Sequence, residues 1–406
     1  MNSPTQLTDA SVVRRNYSLM TVILCWSGLV VMSSLYVTIP LISVFARLYD
    51  ITPTEAAAAG STFSIGFALG CLIYGALSDK YGRKKVIFTG LLVLAFISLL
   101  LGTVHTFEWI VVLRGFQGAA AATFSPVALA YAVEMYPPEK RVTTIGFIST
   151  GFLTAGIAGQ VVSSLISEQA GWNAVFYVLA GVYALTAVLV YAFLPKGGIR
   201  QAHANIWEPI RQIGQVFVRK QLVLSYVVAF VLLMSFVSMY TVLGSYLSSA
   251  SFSLDKQGIL VVRSIGIAAM LLSPFAGRVS KRFGLLPTLR GFLSLAAAGL
   301  AAMGLISNLT VLVAVSLVFV AGIALAVPSL VSLVGQLGGD LRGIAVSVYT
   351  FILFAGTSFG PVISLSLMKS VSYPVTFLLL AAILCIGLAA ACLINPEETP
   401  EVKKTG

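Results

Sequence analysis

One aspartate and four cationic side chains crowd the stretch YGALSDKYGRKK, Tyr74 to Lys85, where two long apolar runs meet. Charge is costly inside either run, so the seam itself must require it. If the first run is helical, Asp79 sits in its last turn, where the helix dipole disfavours a negative charge. A partner is therefore needed, either the cations of the same loop or the positively polarised N-terminus of another helix. An acid held in that way can latch two parts of a molecule together in one conformation and release them in another. Gly75, Asp79, Gly82, Arg83 and Lys84 are the candidates for such a latch, Gly75 admitting a close neighbour and Gly82 making the turn. The alternative is that Arg83, Lys84 and Lys85 only set the topology of the chain.

Two further cations, Arg114 and Arg263, stand inside apolar runs. Each is about 10 Å below the outer end of its run at ~1.5 Å per residue. Either side chain can attract an anionic group or respond to proton movement, or it can snorkel outward and bind polar neighbours and backbone carbonyls. All fourteen acids fall in loops or at the ends of runs, so no carboxylate stands at mid-depth. Glu134 and Asp79 are the nearest substitutes, which makes Arg114, Arg263 and Glu134 the candidates for proton coupling or anion attraction. Enzymatic chemistry is not expected: His105 and His203 are the only histidines, and no cluster suits a metal or acid–base work. No glycine loop followed by lysine offers to cradle a phosphate, so ATP drive, metal and cofactor are not expected either.

These groups must be held by membrane helices, because 58% of the 406 residues are hydrophobic and only 10% are charged. Runs of about 20 apolar residues, enough to cross hydrocarbon, fall near 19–45, 55–78, 86–104, 108–132, 142–166 and 172–194, then near 222–248, 257–277, 286–306, 309–333, 343–368 and 372–394. The expected fold is an all-α membrane protein of twelve transmembrane helices in two six-helix bundles. Its parts are a tail at 1–18, a bundle at 19–194, a linker at 195–220, a second bundle at 221–395 and a tail at 396–406. Within the linker, IWEPIRQIGQVFV has the mixed pattern of a short interfacial helix. Arg14 and Arg15 precede the first run and no small-residue cleavage site follows it, so that helix is expected to be retained. Cys25, Cys71, Cys385 and Cys392 lie in apolar runs without ligand spacing and read as small buried residues.

The net charge of +11 points to topology rather than to nucleic acid. With the N-terminus inside, the inner loops collect Lys80, Arg83, Lys84, Lys85, Lys140, Arg141, the linker cations, Arg278, Lys281, Arg282, Arg290, Arg342, Lys403 and Lys404, while the outer loops hold Arg47, Lys256 and Lys369. Both termini are then cytoplasmic, in a cell or inner membrane. The two bundles also repeat each other. GALSDKYG from Gly75 aligns with GRVSKRFG from Gly277, SPVALAYAVEMYPPEKR with VPSLVSLVGQLGGDLR, and Ser34–Tyr36 with Ser238–Tyr240. Lys281 takes the place of Asp79, so a latch would exist on one side only. Pro40, Pro126, Pro274, Pro328 and Pro361 are expected to mark bends.

On these residues the chain resembles the major facilitator superfamily. GALSDKYGRKK is similar to the loop signature between that family's second and third helices, through Gly75, Leu77, Asp79, Gly82, Arg83 and a basic Lys84 or Lys85. LRGFQGAAAA, with Arg114, Gln117 and Gly118, resembles the fourth-helix pattern of drug:proton antiporters. GFLTAGIAGQ matches their fifth helix less well, lacking the proline and carrying Gln160 where glycine is usual. The resemblance implies a pseudo-symmetric, monomeric secondary transporter working by alternating access, most simply in proton-coupled efflux of a drug or metabolite. The alternative it leaves is an organic-anion exchanger or uptake carrier using the intramembrane arginines. It also implies that the first, fourth, seventh and tenth helices line a central cavity. Ser34, Tyr36, Thr38, Gln117, Ser238, Tyr240, Ser332 and Gln336 are then the cavity candidates, with the repeat-related Tyr36 and Tyr240 foremost. The partners implied are a small-molecule substrate, a proton or counter-ion, and the lipid bilayer.

Overall fold

The computed structural model describes residues 16–196 and 208–395. Arg14, Arg15, Arg200, His203, Lys403 and Lys404 lie outside them. Among the described residues, eleven segments are long and apolar enough to cross a bilayer, and one of these, Leu309–Ser370, runs for 62 residues. It breaks at Gly339, whose φ of +52° suits glycine, into helices of 30 and 29 residues. Twelve crossings result. They are α1 (Tyr17–Tyr36), α2 (Ala58–Tyr81), α3 (Arg83–Thr103), α4 (Phe107–Ala121 continued by Ser125–Met135), α5 (Pro138–Ala170), α6 (Trp172–Phe193), α7 (Lys220–Ser248), α8 (Lys256–Met270 continued by Ala276–Phe283), α9 (Leu285–Met303), α10 (Leu309–Gly338), α11 (Arg342–Ser370) and α12 (Tyr373–Leu393).

The boundaries follow local chemistry. The first apolar run, expected at 19–45, yields α1 only as far as Tyr36; a turn holding Pro40 follows, then a short helix Ile42–Leu48. Proline has no N–H to continue the ladder, which is why the run does not stay one helix. Pro126 restarts α4 after its break, Pro274 sits in a tight 3-10 turn that interrupts α8, and Pro328 and Pro361 lie inside α10 and α11. Gly82 and Gly284, at repeat-related positions, take φ of +92° and +88° and turn α2 into α3 and α8 into α9 without a loop. The described part of the interfacial segment forms a helix, Glu208–Val218.

Each half is assembled in the same way. In the first, α1 packs on α5, α2 on α4 and α3 on α6; in the second, α7 packs on α11, α8 on α10 and α9 on α12. Apolar helices gain little from hiding hydrocarbon when lipid is the solvent, so close backbone approach has to supply the attraction. It does so between α2 and α4, where a Cβ on Gly66 or Gly118 would strike the carbonyl of Gly115 or Phe63. The large side chains left outside, such as Phe96, Phe116, Val188 and Val362, form the lipid-facing surface of a multi-pass membrane protein.

The α2–α3 and α8–α9 turns share one face, called here the basic face. From mid-depth down to that face the halves touch. Phe67 on α2 meets Phe354 on α11 with ring centroids 4.9 Å apart, and Thr150 on α5 donates to the Met270 carbonyl on α8 at 3.2 Å. Nearer the basic face, Gly75 on α2 faces Ser347 on α11, and Gly277 on α8 faces Thr143 on α5, each so closely that a Cβ would overlap the opposing side chain. Gly75→Leu is therefore expected to wedge α2 away from α11. A Ser347→Cys reporter, fully reactive only when that contact parts, should label several-fold faster with a water-soluble maleimide; an unchanged rate would contradict the contact.

Candidate functional site

The basic face carries an ion cluster that spans both halves. Arg83, 1% exposed, pairs with Asp79 one turn back and binds the Ser78 hydroxyl. It also donates to the Gly75 carbonyl at 3.0 Å and to both oxygens of Glu134 at 2.9 and 3.3 Å. Glu134, near the end of α4, lies 3.4 Å from the Nε of Arg342, the first residue of α11 in the other half. A Cβ on the next residue, Gly343, would strike the Asp79 carboxylate, so that acid lies against the N-terminus of α11. Both kinds of partner expected for Asp79 are thus present together, and the helix dipole favours the anion there. All three ion pairs among the described residues belong to this cluster.

Lys84 is not part of it. Its Nζ donates to the Tyr191 carbonyl at 2.7 Å, near the C-terminus of α6. Arg219 does the same for the Leu337 and Gly338 carbonyls of α10 at 3.2 and 3.0 Å, and Arg290 for three carbonyls from Ala391 to Ile394 at the end of α12. Even-numbered helices end at this face and leave carbonyls without intrahelical partners, which cations satisfy. Several basic residues therefore cap helices as well as charge the face. At the α4–α5 turn, burial pushes the Tyr136 phenol up to about 12, and its hydroxyl accepts from Thr21 of α1 at 3.1 Å.

Beyond the contact zone, toward the opposite face, the halves part around a cavity of about 280 Å³. Its floor includes Leu233, Met270, Val327 and Leu353, and Phe152, Phe236 and Phe354 add aromatic wall. Polar groups are few: Tyr36, Ser149, Gln160, Tyr240, Thr241, Arg263 and Thr357. Gln160 and Thr357 satisfy themselves on their own helices, through the Gly156 carbonyl at 2.5 Å and the Phe354 carbonyl at 2.6 Å. Arg263 donates one bond from Nη2, to the Tyr240 carbonyl at 3.2 Å, and its Nε has no partner among the described residues. The hydroxyls of Tyr240 and Ser149 have none either.

Tyr36 and Tyr240 line this cavity, one from each half, but the other expected lining residues do not. The Ser34 hydroxyl bonds the Val31 carbonyl, Thr38 is buried beyond the end of α1, and Ser238 bonds the Gly360 carbonyl across α7 and α11 at 3.0 Å. Ser332 and Gln336 line a second cavity of about 240 Å³ near the basic face, with Arg141 and Arg342. Gln117 is enclosed within the first half, donating to Ser98 at 2.8 Å. α4 contributes Val133 to the second cavity, while α5, α8 and α11 supply the wall of the first beside α1, α7 and α10. Ser149, Gln160 and Thr357 were missed as lining residues because helices apolar on every side do not announce which side faces the gap.

Arg114 also lies away from the cavity. Fully buried, it donates to the Ala59 carbonyl at 3.1 Å, the Ser34 carbonyl at 2.8 Å and Gln117 Oε1 at 2.5 Å, with the Phe63 ring 4.3 Å from its Cζ. It knots α1, α2 and α4 together where α1 ends.

Comparison with known proteins agrees with this architecture. The Major Facilitator Superfamily profile matches residues 24–351 and again 257–406. The uncharacterized MFS-type transporter YybF of Bacillus subtilis is 28% identical over 386 residues, covering 90% of this chain and 92% of its own. The bicyclomycin resistance protein homolog of Haemophilus influenzae is 28% identical over a shorter stretch of 154 residues, 37% of this chain and 38% of that one. Among solved structures, the human organic anion transporter MFSD10 superposes with a TM-score of 0.72 at 16% identity, covering 93% of this chain and 99% of that one. Twice-repeated six-helix halves, a cavity between them and a profile match over most of the length lead to one conclusion: the chain belongs to the Major Facilitator Superfamily of membrane transporters.

Proposed function

We propose that this transporter moves a small organic compound by alternating access, exporting a drug or metabolite across the cytoplasmic membrane in exchange for protons. The observation that carries the reading is the cavity itself, set between the two halves and separated from the basic face by touching helices. That is one of the two states an alternating-access carrier must visit. The excess of lysine and arginine on the shut side supports a cytoplasmic basic face with both termini inside, so the cavity faces outward. Glu134 and Asp79 hold this state closed as a latch, and the protein works as a monomer. The similarity to a bicyclomycin resistance protein supports export of a drug-like compound.

A second reading, organic-anion exchange or uptake, is favoured by a specific observation. No carboxylate lines the cavity, while Arg263 does, with no acid within ion-pairing distance among the described residues. Proteoliposomes separate the two. Flux of a loaded dye that follows an imposed pH gradient and stops with a protonophore is the expected result for antiport. Flux indifferent to the gradient but dependent on an anion in the opposite compartment would replace it by exchange.

A further inference from the structure

We propose that Arg263 and the Tyr240 hydroxyl form an anion subsite, so that the compound carried is an amphipathic organic acid with a single carboxylate or sulfonate head. This rests on reading the central cavity as the transport site and adds the class of its occupant. Arg263 sits about 10 Å into α8 from the end at Lys256 at ~1.5 Å per residue. Its Nη2 is held by the Tyr240 carbonyl at 3.2 Å, leaving Nε with no partner among the described residues while the side chain lines the cavity. The Tyr240 hydroxyl, buried and equally without a partner among the described residues, belongs to the same wall.

The seam between α7 and α8 is shaped to seat both groups. On α7, Gly244 stands one turn beyond Tyr240, and a Cβ there would lie 2.7 Å from Arg263 Nη2. On α8, Gly266 stands one turn beyond Arg263, and a Cβ there would overlap the Tyr240 hydroxyl. Each helix thus supplies the polar group and gives way, through a glycine, to the group from its neighbour. A guanidinium kept in a largely apolar cavity without a carboxylate is unfavourable unless an anion completes it, and its flat fork suits carboxylate or sulfonate oxygens. The remaining wall is hydrocarbon. Phe152, Phe236 and Phe354 offer an aromatic or aliphatic body the contacts that a more polar solute would waste. A cation is disfavoured by the same charge, since nothing lining the cavity offsets it.

The full-length protein in lipid nanodiscs tests this with three shape-matched probes: 2-naphthoate, 2-naphthamide and 2-naphthylmethylammonium, with affinities read by calorimetry. The expected result is at least tenfold tighter binding of naphthoate than of either other probe. Arg263→Gln should abolish that preference and Arg263→Lys should keep part of it. If Arg263→Gln does not yield monodisperse protein, Gly244→Leu, which keeps every charge but crowds Nη2, should weaken naphthoate selectively. Equal affinities, no binding by any probe, or a preference that survives both Arg263→Gln and Gly244→Leu would overturn the subsite. Naphthoate binding with the expected preference but no naphthoate flux in proteoliposomes would leave the subsite standing and remove the transport reading. Flux with no charge preference would do the reverse.

Discussion

Glu134→Ala is expected to lower stability and to open the basic face, by different amounts for different reasons. Removing the carboxylate leaves Arg83, buried to 1% exposure, with Asp79 as its remaining acid. Stripping one partner from a buried charge cluster costs about 3 kcal/mol. That loss lies within the first half, so it is shared by every conformational state and should be read as a lower unfolding temperature. The cross-half part is smaller. Arg342 is 26% exposed and 3.4 Å from Glu134, so its contact is worth about 1 kcal/mol or less, a several-fold change in the balance between states. Spin labels replacing the exposed Tyr81 and Phe283, at matching positions in the two halves, should show the longer-distance population growing several-fold. Arg342→Ala provides the control, since it should shift the distances without lowering the unfolding temperature. Unchanged distances in both variants would show that the cluster does not hold the halves together.

Arg114→Leu is the second large effect expected, and it is one of folding rather than recognition. The substitution removes three hydrogen bonds, to the Ala59 and Ser34 carbonyls and to Gln117 Oε1, in a site closed to water. At about 1 kcal/mol for each hydrogen bond lost, the first half loses about 3 kcal/mol. Lysine should recover little of it, because a single ammonium cannot point at three acceptors on three helices as a guanidinium does. Thermal unfolding of the purified protein checks the claim: Arg114→Leu and Arg114→Lys should both unfold well below the parent. Parent-like unfolding with selectively lost substrate affinity would return Arg114 to the transport site.

How far the fold was legible depended on which signals residue type carries. Lipid imposes long apolar runs, so the crossings could be read directly, and the offset between GALSDKYG and GRVSKRFG exposed the duplication. The apolar run at 19–45 outlasts α1 because the residues around Pro40 stay apolar; hydropathy does not register a missing N–H, and the break there was signalled by the proline itself. Tyr36 and Tyr240 could be singled out because the repeat placed them in register. Arg114 pointed to something enclosed, yet two of its partners are main-chain carbonyls, which every residue has and no sequence pattern marks. The lining by α5, α8 and α11 was hidden for a related reason: in a bilayer both the outer surface and the cavity wall are hydrocarbon, so periodicity cannot tell them apart.

Near the basic face the halves approach closely where glycine meets a hydroxyl side chain, Gly75 on Ser347 and Gly277 on Thr143. Parting these contacts wets peptide and hydroxyl groups, whose hydration lowers heat capacity and offsets the rise from whatever hydrocarbon is uncovered beside them. Opening that face should accordingly add little to the heat-capacity change of the switch, which is then set by how far the hydrocarbon wall of the cavity at the other end is covered.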